Sequence, residues 1–217
     1  MEKIVHFDHA SILVMENRFR ANFINSVTGY KSANLIATKS NKGRTNVAVF
    51  SSVTHLGSNP AMLGFITRPT TVPRHTYANI KENKFFTVNH IHSQIIDKAH
   101  QTAARYEKDE SEFVKTGLTE EYLNKHHAPF VKEAFVKIAC EYVNEYPIVE
   151  NGTLLIVAAI TDIYLPEYSY TNDGWIDLNR VQGVTINGLD SYSAPTLLDR
   201  FSYAKPDQTV QSILKKE

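Results

Sequence analysis

A chain of 217 residues with 42% hydrophobic and 21% charged side chains has the make-up of an ordered globule, long enough to bury roughly 70% of its unfolded surface without staples. Its 23 Lys and Arg balance 23 Asp and Glu, which argues against nucleic acid or an anionic membrane as partner but leaves room for a local cationic pocket for one small anion. Cys140 is alone, which excludes an internal disulfide, and no apolar run approaches the ~18 residues of a membrane span, so a soluble, cytoplasmic, single-domain protein over 1–217 is expected.

In chain order, Phe19, Phe23 and Val27 recur at helical spacing, and Gly29 would end that helix. Ala33 to Thr38 reads as a strand, Asn41-Lys42-Gly43 as a turn, and Asn46 to Phe50 as the returning strand of a hairpin. Ser51 to Pro60 reads as a loop rich in small hydroxyls. Met62 to Thr67 and Phe85 to Ile91 are further strands, separated by a helix from Pro73 to Glu82. Ser93 is placed as the cap of a helix carrying Ile96, Ala99 and Ala103 on one face. Asp109 with Glu112 resembles a capping box. Gly117 stops one helix, and Thr119-Glu120-Glu121 is expected to start another. Strands return at Ala134–Val143 and Thr153–Leu165, the second closed by Pro166, and Trp175–Leu178 gives a last short strand or turn. In the irregular tail, Tyr192, Pro195, Phe201 and Tyr203 are expected to pack down. The sum is a mainly β fold, a six-stranded antiparallel barrel with helical insertions.

Two stretches stand out as candidate sites. Proline suits a first helical turn, and the free N–H groups after Pro73, with the helix dipole, Arg74 and the Thr76 hydroxyl, describe a phosphate cradle. A surface helix with a solvated arginine has the same appearance. Ser51-Ser52-Val53-Thr54 offers hydroxyls and backbone N–H groups that suit the carbonyls and ring nitrogens of a flat heterocycle, or that bond to their own backbone. His90 and His92, and the adjacent His126-His127, lack a cysteine or carboxylate partner at zinc-binding spacing, so no metal site is expected; His55 sits in the hydroxyl-rich loop. Cys140, in an alternating apolar run, reads as a buried inert thiol. Neither a Gly-x-Ser-x-Gly elbow nor a Gly-x-Gly-x-x-Gly fingerprint occurs, which argues against a serine hydrolase and a Rossmann cofactor domain.

The order Leu35-Ile36-Ala37-Thr38, Gly43, Asn46, Ser51-Ser52, Asn59-Pro60, Arg74-His75-Thr76, Asn79-Ile80, Phe85-x-x-x-Asn89, Glu110-Ser111-Glu112-Phe113 and Gly117-Leu118 resembles the flavin reductase-like, FMN-binding split-barrel family over about residues 30 to 200. The resemblance implies a six-stranded split barrel, a homodimer with FMN near the subunit interface, and hydride transfer from NADH or NADPH to the flavin with no catalytic side chain required. It assigns Arg74, Thr76 and Asn79 to the phosphate, and Thr38, Asn46, Ser51, Ser52, Val53 and Thr54 to the ring and ribityl chain. Asn89 is expected to reach the same pocket. His75 stands where the family usually has Asp. An FMN-holding electron carrier without NAD(P)H oxidation is the alternative. A flavin enzyme with its own organic substrate, its pocket shaped by the insert 93–132, is a third.

Overall fold

The computed structural model describes residues 3–107 and 110–214. Two helices come first: α1 (His9–Leu13), capped by the Asp8 carboxylate on the Ser11 N–H, and α2 (Asn17–Val27), capped by Glu16 on the Phe19 N–H. Phe19 and Phe23 stack on α2 as their spacing predicts, with centroids 5.8 Å apart. After β1 (Lys31–Ser32) the predicted hairpin forms between β2 (Asn34–Lys39) and β3 (Thr45–Phe50), with Asn34 opposite Phe50 and Lys39 opposite Thr45. Gly43 supplies the positive φ, +81°, that this turn needs.

Beyond β3 the expectation changes. Only residues 51–53 are loop; β4 (Thr54–Ser58) pairs with β5 (Ala61–Thr67) across a turn at Asn59-Pro60. Polar composition hid β4 because it is an exposed edge strand, whose pairing rests on backbone rather than buried side chains. The next helix, α3 (His75–Asn83), starts later than predicted: Arg74 is its N-cap residue and Pro73 lies outside. After β6 (Phe85–His90), a 3₁₀ turn at Ser93–Ile95 leads into α4 (Ile96–Gln101). The cap there is the His92 imidazole, which accepts the Gln94 N–H, whereas the Ser93 hydroxyl donates to Gln182. Ile95 and Ala99 are the buried residues of this stretch, and Ala103 is exposed.

Asp109 lies outside the described residues. Ser111 precedes α5 (Glu112–Thr116) without a side-chain cap bond, and Gly117 ends it at φ +69°. Thr119-Glu120-Glu121 does not open a helix: β7 (Glu120–Glu121) pairs with β8 (Phe130–Val131), held by Thr45, which donates to the Glu120 carboxylate at 2.6 Å. Two long strands follow, β9 (Lys137–Ile148), displaced a few residues toward the C-terminus of the expected run, and β10 (Thr153–Tyr164). Short strands β11 (Thr185–Asn187) and β12 (Ser191–Ser193) join β1 in a three-stranded sheet; Trp175–Leu178 contributes only the Tyr170–Ile176 bridge. Tyr192 packs against the core, but Phe201 and Tyr203 are exposed, against expectation.

The main sheet has seven strands rather than six, in the order β3-β2-β6-β9-β10-β5-β4. Ile36 of β2, Leu63 and Phe65 of β5, Phe86 and Val88 of β6, Cys140 of β9 and Ile156 of β10 share one buried cluster. Three strands lie between β2 and β5 in the sheet, so they meet only because it curls. Phe50 and Phe65 close that curl edge to face at 5.2 Å. Leu35 and Ala37 point the other way, into a second cluster with Ile95, Ala99, Phe113 and Val184. The sheet's two edges, β3 and β4, are consecutive in the chain, and Ser51–Val53 spans the gap between them.

Candidate functional site

A cleft of about 770 Å³ opens where the β2–β3 turn meets the first turns of α3, lined by Lys42, Arg44, Asn46, His75, Asn79 and Lys81 among others. Four of the predicted residues interlock at its floor. Asn79 donates to the buried Thr38 hydroxyl at 3.0 Å. The Asn46 side-chain oxygen accepts the Thr76 hydroxyl at 2.9 Å, and its amide nitrogen donates to Glu112 at 3.3 Å. These bonds tie β2 and β3 to α3 and fix the free N–H end of that helix against the sheet. Arg74, the residue before the first turn, has its Nε buried with no partner among the described residues. A buried guanidinium N–H with nothing to donate to suits a phosphate oxygen, so the residues present fit a phosphorylated cofactor at this end. Lys81 on the cleft wall is held by Glu145 at 3.3 Å and by the Tyr142 hydroxyl at 3.1 Å.

The Ser51–Thr54 segment lies at the other end of β3, five residues or about 17 Å from Asn46 along the strand. Ser52 is committed to the sheet: its hydroxyl donates to the Ile66 carbonyl at 3.0 Å and accepts the Ile66 N–H at 3.1 Å. The Val53 carbonyl accepts the Ser32 hydroxyl, Ser51 is half-buried, and Thr54 is exposed. Asn89 departs from expectation. It is fully buried, donates to the Leu35 carbonyl and the Thr87 hydroxyl, and accepts the Val131 N–H at 3.0 Å, so its amide is spent joining β2, β6 and β8.

In the sequence Glu112 is a capping partner and part of the Glu110–Phe113 run of the family resemblance. It is in fact a buried carboxyl behind the cleft, accepting the Val47 N–H at 3.2 Å, and burial pushes its pKa up. The helix-start pattern and that run are its local signals, and contact with a strand 65 residues away leaves no mark in the sequence. His55 is exposed and lies 3.3 Å from the Ser58 hydroxyl. Cys140 is buried and its thiol is pushed up by desolvation, so the thiolate is suppressed. Among the described residues no group of three or more His, Cys, Asp or Glu is placed to hold a metal, and no helix is long and apolar enough to cross a membrane.

The model of the flavin reductase like domain matches residues 29–179. A solved structure from Shewanella frigidimarina, described as a candidate flavin reductase with a split barrel domain, is similar at 46% identity and a TM-score of 0.89, over 92% of this chain and 100% of that one. Nitrilotriacetate monooxygenase component B from Bacillus cereus superposes with a TM-score of 0.80 over 92% of this chain and 100% of its own, at 16% identity, a likeness of fold alone. A protein of Aquifex aeolicus is 28% identical over 137 residues, 61% of this chain and 70% of that protein. With these likenesses the curled seven-stranded sheet is a mainly β split barrel.

Proposed function

The chain belongs to the flavin reductase-like domain family, and on that premise we propose that it is an FMN-binding oxidoreductase that takes a hydride from NADH or NADPH. The observation that carries this reading is the unpartnered, buried Arg74 Nε beside the first turn of α3. In this assignment Arg74 and the α3 N–H groups hold the phosphate, with His75 on the cleft wall. Thr76 and Asn79 are pre-set by their bonds to Asn46 and Thr38, so these four groups lose little freedom when the cofactor binds. Ser51, Ser52, Val53 and Thr54 present backbone groups to the ring, Ser52 acting by locking the segment onto β5. Asn89 is left out of the binding set. The bound flavin supplies the two-electron chemistry, and the protein supplies binding and orientation. The protein acts as a cytoplasmic homodimer of single-domain subunits.

Arg74→Ala should weaken FMN binding about 10- to 100-fold, the worth of one charged hydrogen bond. Flavin fluorescence quenching measures it. Mixing the FMN-loaded protein with NADH or NADPH should bleach the flavin bands within a catalytic turnover. A wild-type protein that shows no FMN binding overturns the cofactor. Flavin that is bound but reduced only by a partner protein overturns the reductase in favour of an electron carrier.

A further inference from the structure

A second cavity of about 230 Å³ lies away from the cleft, walled by Tyr30, Asn34, His90, Ile91, Leu178 and Val184 among others. Among the polar groups that line it is Asn34, which is 1% exposed. The Asn34 amide nitrogen donates to the Ser32 hydroxyl at 3.0 Å, and that hydroxyl donates its single proton to the Val53 carbonyl at 3.0 Å. Ser32 therefore accepts from Asn34 and cannot donate to it. This relay fixes the amide orientation, and the Asn34 Oδ1 is left buried without a donor among the described residues. An unpaired buried acceptor costs on the order of 1–3 kcal/mol, which a ligand with a matching donor recovers.

The surroundings define what that ligand is. Ile91 and Val184 are buried apolar walls, and Gly183 brings its backbone so near that a Cβ would stand 3.1 Å from the Leu178 carbonyl. His90 is neutral at pH 7, because burial lowers its pKa to about 4. The Lys31 ammonium is engaged by the Asn25 and Gly29 carbonyls at 2.7 and 2.9 Å, and no carboxylate lines the cavity. Nothing here favours a charge of either sign. The volume falls below the ~300 Å³ at which sites for drug-sized ligands begin, which limits the occupant to about one ring.

We propose that this cavity is a binding site for a small uncharged ring compound carrying one N–H or O–H donor, which the Asn34 side-chain oxygen accepts. The site is distinct from the cationic cleft, and the proposal does not depend on bound flavin. Through Ser32 and Val53 it is nonetheless one hydrogen-bonded relay from the segment assigned to the flavin ring.

The test is a titration of the flavin-free full chain, with ¹³C-labelled Ile and Val methyls, against phenol and against anisole, which has the ring but no donor. Saturable shifts of the Ile91 and Val184 methyls with phenol are expected, with anisole about tenfold weaker, the worth of one neutral hydrogen bond. Asn34→Ala should erase the preference, and Val184→Phe should abolish binding by filling the space. Absence of saturable shifts with millimolar phenol means a site for water alone and overturns the proposal, as does equal binding of the two probes by the wild type. Should either variant fail to fold, the wild-type comparison still decides.

Discussion

Glu112 accepts the Val47 N–H on one carboxylate oxygen and the Asn46 amide on the other; a glutamine keeps the first contact and, with the Asn46 amide turned over so that its nitrogen donates to Thr76, donates in the second. Desolvation raises its folded-state pKa above the ordinary 4.5. The unfolded chain therefore ionises first, and Glu112 becomes destabilising as pH rises past about that value. Glu112→Gln should be more stable than the wild type at pH 7, with the gap closing toward pH 4; urea midpoints across that range measure it. His90 has the opposite sign. Burial lowers its pKa from 6.5 to about 4, so the neutral folded form is favoured above pH 6.5 and that advantage is lost as pH falls toward 4. Lowering the pH from 6.5 to 5 should cost roughly 2 kcal/mol in the wild type, and His90→Gln should flatten that slope. An unchanged slope in the variant places the acid sensitivity elsewhere. Such residues were half legible: their identities are in the sequence, but the pairs Thr38–Asn79 and Asn46–Thr76 join positions 41 and 30 residues apart, and only the fold brings them into contact. The partners that satisfy the Asn89 amide, Leu35 and Val131, are illegible for the same reason, since they lie on other strands.

At the scale of elements, the strands read correctly from sequence are those that bury side chains. Strands β2, β5, β6 and β10 combine buried apolar runs with Gly or Pro punctuation, both of them local signals. Strands β4, β7, β11 and β12 are short, polar or exposed, and pairing defines them: β11 exists because it lies against β1 from the other end of the chain. Gly64 shows how closely the buried strands fit. It lies in β5 between Thr54 of β4 and Val157 of β10, and a Cβ there would sit 2.9 Å from the Leu56 side chain and 3.1 Å from the Ile156 carbonyl. Leu56 is partly exposed and able to turn aside, but the carbonyl belongs to the central ladder. Gly64→Ala should therefore cost about 1–3 kcal/mol, as overpacking does, through displacement of β4 from the sheet. A urea midpoint equal to that of the wild type would show that the edge yields freely.

For the molecule as a whole, the surface raises the question the interior does not. Helices α1 and α2 contain no fully buried residue, Phe23 being half-buried against Phe7, and Phe19 and Val27 on α2 are 54% and 68% exposed. Tyr30, Leu198 and Tyr203 add further exposed apolar area. An amphipathic helix gains little from its own propensity in water, so an 11-residue helix with a bare apolar stripe needs something to pack against. The proposed homodimer supplies it: a second copy covering α2 would bury Phe19, Phe23 and Val27 together. Light scattering at micromolar concentration should then give twice the 24.6 kDa chain mass. Phe19→Asp with Val27→Asp should shift the protein to monomer while leaving the barrel folded, since neither side chain contributes to the two core clusters. A wild-type monomer overturns the dimer, and a double variant that remains dimeric moves the interface off α2. If the monomeric variant also binds FMN more weakly with Arg74 intact, the second copy completes the flavin site; if affinity is unchanged, one barrel holds the cofactor alone.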